Sequence, residues 1–279
     1  KRPWSSPVRL SKADGQQRES MIEPDTTSII LVEPLHPGNI GAAARAMKNM
    51  GFRRLRLVNL TDPFSPAARR MASGALDVLE SAEVFPSLAE AVADLHVTAG
   101  LTARTGKGRI RRLDPQGLVR HLHTYPPEAR LGIVFGREDR GLTNEELDLC
   151  NLLVTIPTSP EHPSLNVAQA VLVVCYEFLK NSLTDAAAGA PVQPRKTVPA
   201  SSEELEALYR HGREVLLRIG FLHENNPDRI LRVLCRIFCR IGLESREVSI
   251  LRGILRQMDW YARISQARQE KGPSDQNAG

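Results

Sequence analysis

The chain alternates short apolar runs with stretches in which apolar residues recur every three or four positions. The short runs are rich in Val, Ile and Leu and predict β-strands at 28–33, 55–59, 83–85, 95–101, 131–135 and 152–157. Helical patterns separate most of these runs, so strands and helices alternate. This alternation predicts an α/β fold with a mainly parallel sheet that has helices on both faces.

Two capping boxes and one glycine mark predicted helix ends. Thr143 with Glu146, and Ser201 with Glu204, have the spacing at which two residues exchange hydrogen bonds at a helix N-terminus. Gly51 stands where the first long helix should end.

The helical and strand patterns also divide the chain into segments. Small residues and three prolines replace the pattern at 184–200, which predicts a linker after an α/β domain at 27–183. Residues 201–265 show only helical periodicity and predict a small all-α C-terminal domain. The basic residues 1–26 and the polar residues 266–279 are expected to be a disordered arm and tail.

Composition limits the classes of protein to which this chain can belong. Apolar residues make up 42% of the chain, yet no run approaches the roughly 18 apolar residues of a membrane-spanning helix, so no membrane association is expected. The four cysteines lie in apolar helical surroundings without C-x-x-C pairs, which predicts reduced thiols in a cytoplasmic protein. No paired Cys/His set is present, so no metal is expected.

Positive charge is concentrated in one segment. The net charge is +5, and residues 104–120 alone have the same excess. This segment contains one acid, Asp114, and the basic residues Arg104, Lys107, Arg109, Arg111, Arg112 and Arg120. Such a cluster favours a polyanionic partner.

The stretch HPGNIGAAARAM predicts a helix with one apolar face. That face consists of Ile40, Ala43, Ala44 and Met47. Arg45 lies one turn after Gly41, so its side chain could extend over the glycine toward the ligand-binding edge of the sheet. The alternative is a solvated arginine with the glycine at a packing contact.

Two further strand–loop–helix segments place polar residues at the same edge. In FGREDRGL, Gly136 permits an unusual turn, and Glu138 and Arg140 follow a strand; the alternative is a loop with two exposed ion pairs. In IPTSPEHPSLN, Ser164 and Asn166 stand near a helix start, and the alternative is that Ser164 serves only as the N-cap.

Several nucleotide-binding signatures are missing. In GLTARTGKG, five residues separate Gly100 from Gly106, and glycine follows Lys107 where a phosphate loop needs Ser or Thr. No G-x-G-x-x-G motif opens a helix after a strand. A nucleotide-dependent α/β enzyme is therefore disfavoured.

Taken together, three motifs resemble the SpoU/TrmH branch of the SPOUT RNA 2'-O-methyltransferases. That branch has N-x-G-x-x-x-R, F-G-x-E-x-x-G-L, and I-P followed by S-L-N. The matching residues are Asn39, Gly41 and Arg45; Phe135, Gly136, Glu138, Gly141 and Leu142; and Ile156, Pro157, Ser164, Leu165 and Asn166. The likeness covers about residues 27–263.

The resemblance implies a fold, a cofactor and an assembly. The segment 135–179 would form a deep trefoil knot around an S-adenosylmethionine pocket, and the enzyme would be a homodimer that needs no metal. The expected cofactor-binding residues are Leu101, Thr102, Ala103, Gly136, Arg137, Glu138, Ile156, Pro157, Ser164, Leu165 and Asn166.

The resemblance also implies roles for individual residues. Arg45 would be the catalytic arginine, assisted by Ser164 and Asn166, while Asn39 and Glu138 would hold the loops. A guanidinium is effectively always protonated, so Arg45 is expected to donate hydrogen bonds to the attacking oxygen or a nearby phosphate rather than to act as a base.

The substrate expected from the resemblance is RNA. The helical segment, with GFLHENNP and ILRGIL, resembles the TrmJ group, which methylates the ribose of nucleotide 32 in the tRNA anticodon loop. The RNA-binding residues are expected to be Arg104, Lys107, Arg109, Arg111 and Arg112. Alternatives are methylation of ribosomal RNA or of another tRNA position, and an RNA-binding protein without activity.

Overall fold

A computed structural model of the protein describes residues 24–60, 62–104, 112–183, 197–222 and 227–270. The strands in these ranges are β1 (Thr27–Val32), β2 (Arg54–Val58), β3 (Glu83–Phe85), β4 (Val97–Leu101), β5 (Arg112–Leu113), β6 (Leu131–Phe135) and β7 (Leu152–Val154). The helices between and after these strands are α1 (Pro37–Asn49), α2 (Pro66–Met71), α3 (Leu76–Glu80), α4 (Leu88–Val92), α5 (Pro115–Leu122), α6 (Asn144–Asp148) and α7 (Val167–Leu183). The helices toward the C-terminus are α8 (Ser202–Arg218), α9 (Pro227–Ile241) and α10 (Ser245–Glu270).

The strands form one sheet in the order β3-β2-β1-β6-β4-β7-β5. The pairings of β1 with β2 and β6, of β2 with β3, and of β7 with β4 and β5 are parallel. Strands β1 and β6 are buried along their whole length, which is why their sequences are apolar without alternation. The predicted α/β fold with a mainly parallel sheet is confirmed.

Apart from shifts of one residue, the strands differ from the prediction in three respects. The run 95–101 is a strand only from Val97. The run 152–157 is a strand only as far as Val154. Strand β5 was not predicted at all, because two residues are too short to show periodicity. Its first residue, Arg112, pairs with Leu153 of β7, so this end of the predicted basic loop belongs to the sheet.

The order of the strands determines where the loops meet. Strands β6, β4 and β7 are neighbours in the sheet, and they end at Phe135, Leu101 and Val154. In an α/β sheet the carboxyl ends of neighbouring parallel strands form the usual ligand-binding crevice. The three segments that follow these strands include two of the three sequence motifs.

Helix α1 has the predicted apolar face, which consists of the fully buried residues Ile40, Ala43, Ala44 and Met47. A Cβ on Gly41 would lie 2.0 Å from the carbonyl oxygen of Ala68 in α2, so this glycine allows the two helices to touch. Because α2 occupies the space beside Gly41, this glycine is the packing contact that the alternative proposed.

We expect Gly41→Ala to destabilise the protein by about 1–3 kcal/mol, because the new methyl group forces α1 and α2 apart. The matched control on the same helix is Gly38→Ala, whose Cβ would make only an ordinary contact, 3.5 Å from Met71 Cγ. This control should be neutral or up to about 1 kcal/mol stabilising. Urea denaturation of both variants checks the difference, and equal unfolding free energies would contradict it.

The described residues divide into two compact units. The first contains those that fall within 1–91 and 98–198, and the second those that fall within 92–97 and 199–279. The second unit contains α8, α9 and α10, and the predicted capping box of Ser201 and Glu204 begins α8. Its core is formed by Ala200, Leu208, Leu243 and Val248. Among the described residues, no helix is long and apolar enough to cross a membrane.

Candidate active site

A cavity of about 240 Å³ lies at the carboxyl ends of β6, β4 and β7. Its walls come from three segments, 101–104, 135–142 and 154–170, which follow those strands. The lining is mixed, with apolar side chains such as Leu101, Leu142 and Ile156 beside polar groups such as Thr102 and Ser164. A concave, largely apolar site with a few polar groups is typical of a small-molecule pocket.

The cavity gathers most of the residues that the sequence assigned to a cofactor. The predicted residues that line it are Leu101, Thr102, Ala103, Gly136, Arg137, Glu138, Ile156, Ser164 and Leu165. Two predicted residues, Pro157 and Asn166, do not line it. Three segments that are distant in sequence therefore meet at one site.

The turn after β6 depends on the glycine at its start. A Cβ on Gly136 would lie 2.3 Å from both the carbonyl carbon of Gly141 and the nitrogen of Leu142. The turn closes through a hydrogen bond of 2.9 Å from the Gly141 nitrogen to the Arg137 carbonyl, and Gly141 has φ +69°. Because both ends of the turn approach so closely, only glycine fits at its start.

A side-chain bridge joins the three motifs. The amide nitrogen of Asn39 donates to Glu138 Oε1 at 2.8 Å, and the amide oxygen of Asn39 accepts from Asn166 Nδ2 at 2.9 Å. The amide oxygen of Asn166 in turn accepts from the backbone nitrogen of Ala168, at 2.9 Å, in the first turn of α7. We call Glu138, Asn39 and Asn166 the Asn39 bridge.

Glu138 also holds the loop before α1. Its carboxylate accepts from the backbone nitrogens of Leu35 at 2.9 Å and His36 at 3.4 Å. Burial alone would raise the pKa of Glu138, but the hydrogen bonds from Asn39, Leu35 and His36 favour the charged form, and the net result is a lowered pKa. Within the described part of the chain Glu138 forms no ion pair, so the alternative of exposed ion pairs is wrong for this residue.

The side chain of Arg137 forms a separate cluster of charges. Its Nε donates to Glu33 Oε2 at 2.6 Å, and its two terminal nitrogens donate to the two oxygens of Glu146 at 2.9 and 3.0 Å. Asn59 Nδ2 donates to the other oxygen of Glu33 at 2.9 Å. We call Glu33, Asn59, Arg137 and Glu146 the Arg137 cluster. Arg137 is only 6% exposed, so its guanidinium is fully engaged in this cluster.

The Arg137 cluster predicts a dependence of stability on pH. Hydrogen bonds from Arg137 and Asn59 lower the pKa of Glu33 from 4.5 to about 2. A depressed carboxyl pKa stabilises the fold above the unfolded value, and this contribution is lost as the pH falls from 4.5 toward 2. Since Glu33 is partly exposed, we expect the loss to be on the order of 2 kcal/mol.

Urea denaturation at about pH 6 and about pH 3 tests this expectation against Glu33→Gln, which has no carboxyl group to titrate. The variant should show a smaller loss of unfolding free energy between the two pH values. Equal losses in both proteins would show that Glu33 does not contribute.

The three predicted catalytic residues have different environments. Arg45 is exposed, has no hydrogen-bonding or ion-pairing partner among the described residues, and does not line the cavity of its own chain. Ser164 lines the cavity, is exposed, and likewise has no partner within the described ranges. The cap of α7 is Asn166 rather than Ser164, so the capping alternative for Ser164 is wrong.

Only part of the predicted RNA-binding loop can be located. Lys107, Arg109 and Arg111 lie outside the described residues. Arg104 lines the cavity, and its Nη2 donates to the backbone oxygen of Arg140 at 2.7 Å. Arg104 therefore connects the segment after β4 with the turn after β6.

Residues 26–176 match the sequence profile of the SpoU rRNA Methylase family, a span that covers more than half of the chain and all three motifs. The chain belongs to the SpoU methylase family. Residues 203–272 match the C-terminal domain of the tRNA methyltransferase TrmJ.

Individual relatives of this SpoU methylase agree with both matches. The tRNA (cytidine/uridine-2'-O-)-methyltransferase TrmJ of Escherichia coli strain K12 is 40% identical over 232 residues, 83% of this chain and 94% of that protein. The crystal structure of TrmJ from Z. mobilis ZM4 is 36% identical with a TM-score of 0.71, and the match covers 84% of this chain and 99% of that one. A probable methylase family protein from Haemophilus influenzae Rd KW20 is 30% identical with a TM-score of 0.56, over 87% of this chain and 99% of that one.

The structure of this SpoU methylase also reveals roles at the site that the sequence analysis did not assign. Glu33 and Asn59 directly follow β1 and β2, and Glu146 serves both the Thr143 capping box and Arg137. A polar residue directly after an apolar strand was the available signal for Glu33 and Asn59. Further residues that line the cavity are Phe135, Asp139, Arg140, Gly141, Leu142, Val154, Thr158, Pro163, Val167 and Ala170.

Proposed function

We propose that this SpoU methylase transfers a methyl group from S-adenosylmethionine to a ribose 2'-hydroxyl of tRNA, at nucleotide 32 of the anticodon loop. The observation that carries the proposal is the convergence of three segments around one cavity, two of which contain sequence motifs, together with the TrmJ-like C-terminal segment. The third motif is joined to these two through the Asn39 bridge. The Escherichia coli relative is named a tRNA (cytidine/uridine-2'-O-)-methyltransferase.

The cavity suits the cofactor by the chemistry of its lining. Leu101, Leu142, Ile156 and Leu165 offer apolar surface for an adenine ring, and backbone groups of the turn that begins at Gly136 lie beside them. When bound, S-adenosylmethionine supplies an electrophilic methyl group on a sulfonium. The residues that would hold it are those of the segments 101–103, 136–138 and 156–165 that line the cavity.

The protein must align the ribose oxygen and stabilise the negative charge that grows on it. We assign this role to Arg45, whose guanidinium donates hydrogen bonds to the attacking oxygen or to an adjoining phosphate and stays protonated throughout. Ser164, exposed at the cavity, and Asn166 assist in placing the ribose. Asn39 and Glu138 act indirectly, because the Asn39 bridge fixes Asn166 relative to α1.

We infer that the enzyme works as a homodimer in which Arg45 of one copy serves the cavity of the other. Arg45 is exposed and lies off the cavity of its own chain, which supports a role in a second copy. Helix α1 packs against α7, where Leu172 and Tyr176 expose 38% and 50% of their surface, and apolar groups of this kind suit a symmetric interface.

The remaining parts of the proposal concern topology and RNA contact. We propose that residues 135–179 form a trefoil knot, supported by the family likeness and by the position of β7 between β4 and β5. We propose that the basic segment that starts at Arg104 meets the tRNA backbone, and that the helical segment 201–265 is a separate domain after the linker 184–200. An enzyme that modifies tRNA in this way is expected in the cytoplasm.

The test of the function uses purified protein, S-adenosylmethionine and an unmodified tRNA transcript, with methylated nucleotides mapped by mass spectrometry of nuclease fragments. A methyl group should appear on the ribose of nucleotide 32 and should be absent from a matched transcript with 2'-deoxyribose at that position. Methylation of ribosomal RNA instead, or tRNA binding without affinity for the cofactor, would refute the proposal in favour of one of its two alternatives.

A further inference from the structure

We propose that Arg137 is a positioning residue, whose buried side chain fixes the turn from Gly136 to Gly141 in the shape that cofactor binding requires. The proposal rests on the proposed function, since it takes the cavity as the cofactor site. Arg137 was predicted to contact the cofactor, and the role proposed here belongs to its side chain.

The contacts of the Arg137 side chain indicate that it supports the turn. Nε is bound to Glu33, and both terminal nitrogens are bound to Glu146 at 2.9 and 3.0 Å. One of these nitrogens also lies 3.5 Å from the carbonyl oxygen of Gly141, at the far end of the same turn. The guanidinium thus links the end of β1, the turn and the first turn of α6.

The backbone around the cluster is held in a conformation that non-glycine residues seldom adopt. Glu33 has φ 44° and Asn59 has φ 51°, and the two side chains are joined by a hydrogen bond of 2.9 Å. Left-handed conformations at such residues persist only where the surroundings enforce them, and they concentrate at functional sites. In this structure the left-handed conformation of Glu33 places its carboxylate beside Arg137, at the carboxyl edge of the sheet.

Consecutive residues therefore anchor the turn through two separate sets of partners. Arg137 connects it to Glu33 and Glu146, while Glu138 connects it to the loop before α1 and to the Asn39 bridge. The Asn39 bridge belongs to the shared family motifs, whereas Arg137 occupies an unspecified position of F-G-x-E. The Arg137 cluster is thus a support formed by residues other than those that define the motif.

The geometry of the cluster needs an arginine. A planar guanidinium can bind one carboxylate with two parallel bonds and a second carboxylate through Nε, whereas a lysine ammonium cannot form this fork. Arg137→Lys should keep the charge but loosen the turn. Arg137→Met should leave the carboxylate of Glu146 without its cation, and Glu33 with only the exposed Arg140, whose Nη2 lies 3.6 Å from Glu33 Oε2.

The experiment measures the dissociation constant of S-adenosylmethionine by calorimetry, the melting temperature, and the KM values for cofactor and tRNA. The matched control is Arg56→Met, which removes another buried arginine: Arg56 lies in β2, is 5% exposed, and donates to the carbonyl of Ala91 away from the cavity. Arg137→Met should raise the cofactor dissociation constant at least about tenfold, with the tRNA KM within about twofold and Arg137→Lys in between. Arg56→Met should lower the melting temperature but leave the dissociation constant within about twofold.

Two results would overturn the proposal: a dissociation constant for Arg137→Met within about twofold of the unaltered protein, or an equal rise for Arg56→Met. If Arg137→Met does not fold, Glu33→Gln gives the same readout while Arg137 stays paired with Glu146, and an unchanged dissociation constant there overturns it too. Failure of the unaltered protein to bind the cofactor would instead refute the proposed function.

Discussion

Replacing Arg45 by alanine should reduce methyl transfer by on the order of a thousandfold while leaving cofactor affinity within about twofold. The side chain is exposed, unpaired among the described residues and off the cavity lining of its own chain, so we expect its loss to affect neither folding nor cofactor affinity. Its loss removes hydrogen-bond donors from the oxygen that gains charge. Single-turnover methylation of a tRNA transcript and calorimetric titration of the cofactor provide the two measurements.

The control for Arg45→Ala is Lys48→Ala, which removes another exposed cation from the same helix. Lys48 forms a surface ion pair with Asp77 at 2.6 Å, and such pairs contribute little to stability. This variant should keep its activity. Equal loss of cofactor affinity and methyl transfer in Arg45→Ala would refute the catalytic role.

We expect Gly136→Ala to abolish activity by a different route, through the cavity itself. The added methyl group would lie 2.3 Å from two backbone atoms, which cannot move aside as a flexible side chain could. The turn must open, which should cost about 2 kcal/mol or more of stability and weaken cofactor binding by on the order of a hundredfold. Urea denaturation and cofactor titration measure both effects.

The control for Gly136→Ala is Gly212→Ala in α8, whose Cβ would make an ordinary contact at 3.8 Å from Leu255. Cofactor affinity of this variant should be unchanged. Cofactor binding by Gly136→Ala as tight as that of the unaltered protein would show that the turn does not shape the pocket.

The two inactive variants can also test the homodimer. If Arg45 serves the cavity of the other copy, a dimer with one Arg45→Ala chain and one Gly136→Ala chain has one complete site. Co-expression of differently tagged chains should then restore about a quarter of the activity, since half of randomly paired dimers are mixed and each has one working site of two. If purified mixed dimers recover no activity, Arg45 serves the cavity of its own chain.

The sequence predicted the sheet well where burial leaves an unambiguous pattern. Strands β1 and β6 are covered on both faces, so residues 29–32 and 131–135 are apolar without interruption and the bounds of both strands could be read within one residue. Strand β5 could not be predicted, because its pairing with β7 depends on tertiary contacts and not on periodicity. The two capping boxes were predictable because their hydrogen bonds join residues only three positions apart.

The candidate site was predictable only in part. The motifs identified the segments that meet at the cavity, but not how their side chains interact across about a hundred positions of sequence. Nothing local indicates that Asn39 binds both Glu138 and Asn166, or that Arg137 turns toward Glu33. Gly41 was ambiguous for the same reason, since only the approach of α2 decides its role.

The Asn39 bridge has a direction. A carboxamide has a hydrogen-bond donor at its nitrogen and an acceptor at its oxygen. Asn39 therefore donates to the carboxylate of Glu138 on one side and accepts from the amide NH₂ of Asn166 on the other. Aspartate at this position would set two anions against each other, and leucine would remove one hydrogen-bond partner from each neighbour. A substitution at residue 39, 138 or 166 therefore needs matching changes at the other two. A library randomised at one of these positions and selected for activity should return mainly the starting residue.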